Sequence, residues 1–374
     1  MESLQKKWYY CCCLALLFFS LTAHTQISIS GRVVDQNGDI ALAGASVYFN
    51  NTTIGAYTNP HGDFHFEIND LLNTEMVISF AGYEVLMYKL NVEQVKGKRI
   101  VFKLQPKAEQ QINKMVLTDV VRKRFLEIFQ QSFLGITKEA KKSSISNEGS
   151  IYFARGNNST SFLAYADTPL VIINNMLGYK ISFNLLEFWY DDATGQSYTS
   201  GYTRYEEFGD DKKWIKNRQN CYYGSSLHFY RSLITNQLYE QGFGTFLIQE
   251  VTDSIHKSVL TAEQARAAAE IVTTVPVTAQ QILFIDSTNN FSIRVNGRLL
   301  VQYFKDPSSK RYLKRNISTE DGPGRGTESY ILFKAASIGL NNAGVLSDAS
   351  QVDYVGYWTY EKAANSLPYD YKPE

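Results

Sequence analysis

Short stretches of alternating apolar and polar residues constrain the fold of this chain more than any other feature. Between Ile27 and Leu104, turn-forming Gly, Asn and Asp recur about every ten positions. Successive side chains of a β-strand point to opposite faces, so this spacing predicts short strands joined by tight turns. We therefore expect residues 27–105 to form a seven-stranded type of β-sandwich.

The remainder, residues 117–374, is predicted to be a larger β-rich α+β region, which makes the whole chain mainly β. Apolar residues fall at helical spacing over 118–136 and 224–243, and an Ala-rich segment at 261–272 predicts a third, short helix. An Asn-Gly pair at 296–297 predicts a hairpin turn. No motif in this region names a reaction.

Charge and cysteine content narrow the classes of function. The 374 residues carry 37 basic and 37 acidic side chains, so nothing global points to nucleic acid as a partner. After residue 26 the chain has one cysteine, Cys221, which cannot form an internal disulfide. The fold must therefore be stabilised by its apolar core.

The first 25 residues have the pattern of a secretory signal peptide. Lys6 and Lys7 precede an apolar run at 11–21, and the small residues Ala23 and Thr25 stand before Gln26. The run is shorter than the ~20 apolar residues that span a bilayer, so a membrane anchor is the less favoured alternative. We expect an exported protein of the periplasm or outer-membrane surface, with no transmembrane span after cleavage.

An ordered set of motifs lies within the predicted sandwich. It comprises an early G-x-V-x-D, a G-A-x-V strand, a T-x-x-x-G-x-F-x-F hairpin and a late S-x-x-G-Y. The set resembles the carboxypeptidase regulatory-like domain, a transthyretin-like β-sandwich, over about a fifth of the chain. Its residues here are Gly31, Val33, Asp35, Gly44, Ala45, Val47, Thr58, Gly62, Phe64, Phe66, Ser79, Gly82 and Tyr83.

The second region resembles the part that follows this sandwich in many exported Bacteroidota proteins. The similar segments are PLVIINNMLGYKISFNLLEF, RQNCYYGSSLHFYRSL and the final GYW with ANSLPYDY. This resemblance implies a cell-envelope protein built in two parts. It implies nothing about a reaction.

The resemblance implies an accessory module, because the zinc chemistry of metallocarboxypeptidases lies in a separate domain. None of the histidines after residue 26 begins a His-x-x-Glu motif, so a zinc peptidase is not expected. His61, Asp63 and His65 alternate along one predicted strand and are at most a weak metal patch. We predict no metal site, no cofactor and no catalytic residue.

Aromatic residues beside carboxylates at 188–205 suggest a ligand-binding surface. Trp189, Tyr190 and Tyr202, near Asp191 and Asp192, could stack on a sugar, although alternating aromatics also fill sheet cores. From the 216–231 segment we add Arg218, His228 and Arg231 to the predicted ligand-binding set. The predicted ligand is a glycan, a peptide or an outer-membrane protein.

Two alternatives to a non-enzymatic binding or scaffold role remain. Cys221 and His228 lie seven residues apart, and a cysteine nucleophile with a histidine base would make the protein an envelope hydrolase acting on peptides or glycans. The second alternative is an accessory of a TonB-dependent transport system, because such receptors often begin with the same sandwich. The chain is too short for their barrel of about twenty-two strands.

Overall fold

The fold of the described residues is mainly β, as predicted. The computed structural model describes residues 27–37, 40–68, 75–90, 97–108, 114–250, 270–272, 276–286, 290–305 and 327–374. The predicted signal peptide, residues 1–25, lies outside them. None of the helices in the described ranges combines the length and apolar character needed to cross a membrane.

Seven strands form the two sheets of the N-terminal sandwich, which confirms the predicted fold. One sheet has the order β4-β1-β7 and the other β3-β2-β5-β6. β1 pairs antiparallel with β4 and parallel with β7. The strands are β1 Ile27–Asp35, β2 Ser46–Phe49, β3 Gly55–Tyr57, β4 Asp63–Ile68, β5 Met76–Ser79, β6 Leu86–Tyr88 and β7 Arg99–Leu104.

The motif residues of the sandwich have structural roles that explain their types. Phe64 and Phe66 alternate inward along β4, as the hairpin pattern predicted. Asp35 is buried and accepts a hydrogen bond of 2.8 Å from the hydroxyl of Tyr83, which joins the first motif to the last. Gly62 has φ +77°, and a Cβ there would lie 2.6 Å from the carbonyl oxygen of Val33.

The second region begins with a six-stranded sheet that is covered on one face by a helix. Its order is β8-β11-β12-β10-β9, and β13 pairs with the long strand β12. The strands are β8 Ser143–Ile145, β9 Ile151–Arg155, β10 Ser161–Ala166, β11 Leu170–Asn174, β12 Tyr179–Asp191 and β13 Gln196–Glu207. Helix α1, Asp119–Phe133, packs Phe129 against Phe188 of β12 at 4.7 Å between ring centroids.

Two further sheets complete the region, and they share a second apolar core that includes Phe229, Phe243 and Trp358. One sheet has the order β15-β14-β18-β19-β21 and the other β16-β17-β20. Their strands are β14 Phe243–Glu250, β15 Glu270–Val272, β16 Leu283–Ile285, β17 Phe291–Ile293, β18 Arg298–Tyr303, β19 Thr327–Phe333, β20 Ile338–Leu340 and β21 Val352–Gly356. The shorter helices are α2 Lys212–Tyr222, α3 Ser226–Ile234, α4 Leu238–Gln241 and α5 Ala279–Ile282.

The helix predictions need three corrections. The predicted helix over 224–243 is two helices, α3 and α4, because the chain turns at Asn236 with φ +54°. Helix α2 was not predicted; the Asp211 side chain caps it by accepting from the Lys213 N–H. Of the predicted helix at 261–272, residues 261–269 lie outside the described ranges and 270–272 form β15.

The predicted hairpin at 296–297 is also wrong. Asn296 and Gly297 do form a bend, and Gly297 has φ +115°. The strands on its two sides belong to different sheets, because β17 pairs with β16 and β20 while β18 pairs with β14 and β19. The bend therefore carries the chain from one sheet to the other.

Candidate functional site

The sandwich is fastened to the second region through the turn after β2, which we call the joint turn (residues 50–53). The Asn51 N–H donates to the carbonyl of Thr203 on β13 at 2.7 Å. The Asn51 carbonyl accepts from the N–H of Tyr369, near the end of the chain, at 2.6 Å. Asn51 has φ +57°, a conformation that Asn tolerates better than most residues. One turn thus bonds to two distant segments.

Side chains reinforce the joint turn. The Asp370 carboxylate accepts from the Thr53 N–H at 3.0 Å and also from the Thr53 hydroxyl. The buried Arg204 of β13 donates to the Ser46 hydroxyl at 2.7 Å and stacks on the ring of Tyr57 at 3.9 Å. These bonds fix the sandwich against β13 by polar contacts with defined geometry.

The predicted aromatic surface divides between the two faces of the β12–β13 hairpin. Tyr190 points to the face covered by α1, where its ring lies 5.5 Å from that of Phe162. Trp189 points to the opposite face, which we call the outer face. Tyr202 lies directly across from Asn184, whose amide donates to the Tyr48 hydroxyl of the sandwich at 2.8 Å. The three residues do not form one site.

Trp189 has a different neighbour on the outer face. It pairs directly with Tyr198 of β13, and the two rings are stacked at 6.4 Å with an interplanar angle of 23°. Tyr198 is 40% exposed. Asp191 is two residues beyond Trp189 on the same face, where hydrogen bonds from the Thr160 hydroxyl and the Ala193 N–H lower the pKa of its carboxyl.

Arg218 has a structural environment. It is 4% exposed, donates to the carbonyls of Leu177 and Gly178, and forms an ion pair of 3.1 Å with Glu207. Its guanidinium also lies over the ring of Tyr179 at 4.1 Å. With these contacts it joins α2 to the turn before β12.

His228 is 2% exposed, and both nitrogens of its ring are occupied. Nδ1 accepts from the Gly224 N–H at 3.1 Å, so the ring proton is on Nε2, which donates to Gln241 at 3.2 Å. Burial lowers the pKa of His228 to about 4. The ring is therefore a neutral connector between α3 and α4.

Arg231 holds the last segment of the chain. Its guanidinium donates to the carbonyls of Tyr369 and Tyr371 at 2.8 and 2.6 Å, and its Nε donates to the carbonyl of Ala343 at 3.0 Å. The three acceptors are main-chain groups of the same protein. Arg231 therefore acts in positioning Tyr369 and its neighbours against the joint turn.

Cys221 and His228 are not arranged as a nucleophile and its base. Burial raises the pKa of the Cys221 thiol, which favours the unreactive protonated form. His228 offers it no free nitrogen, because Gly224 and Gln241 occupy both. The simplest form of the hydrolase alternative therefore lacks its geometry.

The His61, Asp63 and His65 pattern does not form a metal site. His61 lies in the turn before β4, and Asp63 forms ion pairs with Arg32 and Arg99. Among the described residues, no group of three or more His, Cys, Asp or Glu side chains is placed to hold a metal ion. Asp63 and His65 instead lie on the outward face of β4.

A cavity that was not predicted lies beside the joint turn. Its volume is about 240 Å³, and its walls come from β13, α2, the start of α3 and the segment after β21. Glu361, Tyr205, Trp358 and Tyr369 are among the lining residues. No local pattern groups these four residues, because Tyr205 and Glu361 are more than 150 positions apart in the chain.

A second cavity, of about 300 Å³, lies on the other side of the Thr53–Asp370 contact. Its lining is mostly charged and includes Glu207, Arg218 and Lys372. Arg218 is paired with Glu207, but four of the lining side chains are acidic and two are basic, so negative charge is in excess. We assign this cavity to the joint itself.

Comparison with known families agrees with the geometry of the sandwich. Residues 29–117 match the family model described as CarboxypepD_reg-like domain. The N-terminal sandwich is a CarboxypepD_reg-like domain. The match includes Asp35 and Tyr83, which are hydrogen-bonded to each other, and extends past β7 to the segment before α1. It includes Asn51 of the cavity wall and ends before β12 and β13.

Comparisons of the whole chain add little. No curated protein matches it significantly. A crystal structure of a protein of unknown function from Bacteroides fragilis NCTC 9343, described as membrane-associated, aligns with 88% of this chain and 93% of its own, at 9% identity and a TM-score of 0.17. A TM-score this low does not establish a shared fold.

Proposed function

We propose that this protein is an exported, non-enzymatic binding protein of the cell envelope, which takes a glycan on the outer face of β12 and β13. The observation that carries the proposal is the stacked pair of Trp189 and Tyr198 on that face. Sugar rings present C–H groups of slight positive charge, which pack on the electron-rich faces of Trp and Tyr. The CarboxypepD_reg-like domain and the signal-peptide pattern support the envelope location.

Neighbouring residues extend this surface. Leu163 of β10 lies directly across from Trp189, and directly opposed residues share a face. Tyr165, two residues on, is stacked against Tyr152 at 5.5 Å with an angle of 13°. Asp191 adds an ionised acceptor for sugar hydroxyls. The surface thus combines flat rings with a carboxylate, as carbohydrate recognition requires.

The sandwich supports this role as a brace. It contacts the same hairpin at Asn184 and Arg204, closer to the base of the hairpin than Trp189. Fixing the base limits movement of the aromatic pair, and a preorganised surface loses less entropy when a ligand binds. Rigidity of this kind favours ligand binding, and it does not by itself provide a catalytic group.

A glycan array tests the proposal. The full chain without residues 1–25 should retain one class of glycan, and the Trp189→Ala, Tyr198→Ala double variant should lose at least about tenfold in affinity, since each lost stacking contact is worth roughly 1–3 kcal/mol by analogy with base stacking. Tyr239→Ala is the matched control, because Tyr239 is exposed on α4 and far along the chain from the pair.

Two results would contradict it. One is a wild-type protein that no glycan retains. The other is a double variant that binds as tightly as the wild type. A pull-down from envelope extracts separates the remaining ligand classes, because recovery of a peptide or a TonB-dependent receptor through the same face would replace the glycan.

A further inference from the structure

The cavity beside the joint turn is lined by one acidic side chain and several aromatic rings, and it is separate from the surface assigned to a glycan. Its volume of about 240 Å³ equals the liquid volume of roughly eight water molecules, which suits a small molecule. Glu361 and Tyr369 in its wall are partly exposed, so the cavity communicates with solvent. It lies among α2, α3 and β13, away from Trp189 and Tyr198.

Glu361 is an acidic group in the cavity wall without a basic partner. Its carboxylate accepts from the N–H and the hydroxyl of Ser226, at 2.9 and 2.5 Å, at the start of α3. It forms no ion pair with any Lys or Arg of the described residues, and no basic residue is among those that line the cavity. An ionised carboxylate offers about four lone-pair positions, so roughly two stay open.

Aromatic rings surround this carboxylate. Tyr354 and Trp358 are arranged edge to face at 5.5 Å, and Tyr205 and Tyr369 contribute to the facing wall. Tyr205 is 3% exposed and Tyr369 is half-buried, and burial raises the pKa of both hydroxyls, so both stay uncharged. The wall therefore supplies neutral aromatic rings and no positive charge to the carboxylate.

We propose that this cavity is a binding site for a small organic ammonium ion, held by the Glu361 carboxylate and the faces of the surrounding aromatic rings. A carboxylate compensates the positive charge directly. Tyr and Trp rings attract the alkyl groups of an ammonium ion through their quadrupoles, an arrangement that recognises quaternary ammonium ligands in other proteins. A neutral ligand of equal shape would gain neither interaction.

The site implies that binding depends on pH. Burial raises the pKa of Glu361 to about 7, so a bound cation favours its ionised form and releases a proton. The groups that face it from α2, α3 and the other walls are Cys221, Tyr205, Tyr230, Tyr354 and Tyr369, all with pKa values raised by burial. They stay neutral between pH 6 and 8. Lys362, next in the chain, has its pKa lowered by burial.

Titration calorimetry with choline and its neutral isostere 3,3-dimethylbutan-1-ol tests the proposal on the full chain without residues 1–25. Choline should bind, more tightly at pH 8 than at pH 6, and the isostere should bind at least about tenfold more weakly. Glu361→Gln keeps the shape of the side chain and should abolish this preference. Glu240→Gln, on exposed α4, is the matched control and should bind choline as the wild type does.

Three outcomes would overturn the proposal. They are equal affinity for the isostere, retained choline preference in Glu361→Gln, and no saturable heat with choline up to about 10 mM. If Glu361→Gln melts below the assay temperature, the second outcome is replaced by equal affinity of the wild type for choline at pH 6 and pH 8. The Trp189→Ala, Tyr198→Ala variant should bind choline normally, so the two sites fail or succeed separately.

Discussion

Two arginines of this protein are explained by hydrogen bonds to residues far away in the sequence. Arg231 binds the carbonyl of Tyr371, 140 residues further along the chain, and Arg218 binds that of Leu177, 41 residues earlier. Both have the charge and length expected of ligand-binding residues, and both are used to hold backbone. In each case the guanidinium fork satisfies main-chain carbonyls that would otherwise be buried without a donor.

His228 makes the stability of the protein depend on pH. Its pKa is about 4 in the folded protein and 6.5 in an unfolded chain, so between these values the unfolded state binds a proton that the native state lacks. The free energy of unfolding should therefore fall as the pH drops from 6.5 to 4, by up to about 1.4 kcal/mol per pH unit from this group.

Urea denaturation at several pH values measures this dependence. His228→Gln should have a flatter profile over that window than the wild type. His61→Gln, in the exposed turn before β4, should keep the wild-type slope. Equal slopes for the wild type and His228→Gln would contradict the assignment of a neutral buried ring.

At the level of elements, α1 and the six-stranded sheet form one packing unit. Phe125 of the helix stacks on Phe162 of β10 at 4.5 Å, and Phe129 and Phe133 contact β12. The apolar stripe of α1 was visible in the sequence. Its basic residues lie off this stripe: Arg122 donates to the carbonyl of Ile151 at the start of β9, and Arg124 forms an ion pair with Asp192. The helix is therefore held by its buried face.

Phe129→Ala tests how much α1 contributes. Phe129 is fully buried, so removing its ring should lower the free energy of unfolding by about 3–5 kcal/mol. Val120→Ala on the same helix is the control, since Val120 is 81% exposed and should cost less than about 0.5 kcal/mol. Equilibrium denaturation gives both values. A loss below about 1 kcal/mol for Phe129→Ala would mean that the core refills the space.

Sequence patterns predicted the elements better than the site. Alternation identified the strands of the sandwich, and the buried positions of Phe64 and Phe66 follow from it. The break between α3 and α4 was missed because it depends on the left-handed conformation of Asn236. The division of Trp189, Tyr190 and Tyr202 was missed because composition does not tell which face of a sheet is covered. Glu361 belonged to no motif.

For the whole molecule, the joint turn decides whether the two parts behave as one. Asp370→Ala removes both hydrogen bonds that Thr53 donates to the carboxylate, and Thr53→Val removes the one from the hydroxyl while keeping the one from the N–H; each bond is worth about 1.5–3 kcal/mol. Their effects on the free energy of unfolding should therefore not add, and the double variant should resemble the more damaging single variant.

A double-mutant cycle by equilibrium denaturation measures this coupling. Asp353→Ala is the control, because Asp353 pairs with Lys334 on the surface and should couple with Thr53→Val by less than about 0.5 kcal/mol. Additive effects of Thr53→Val and Asp370→Ala would show that the contact contributes nothing to holding the sandwich in place.

The Thr53–Asp370 contact can form only after the last residues of the chain have been synthesised. The two residues are 317 positions apart. At synthesis rates of about 5–20 residues per second, Thr53 precedes Asp370 by roughly a quarter of a minute to one minute. During that interval the strands of the sandwich can already be paired. The joint turn, which later bonds to Tyr369 and Asp370, is then exposed to water. Its polar Asn and Thr side chains can bind water during this time, whereas an apolar surface exposed for as long would promote aggregation.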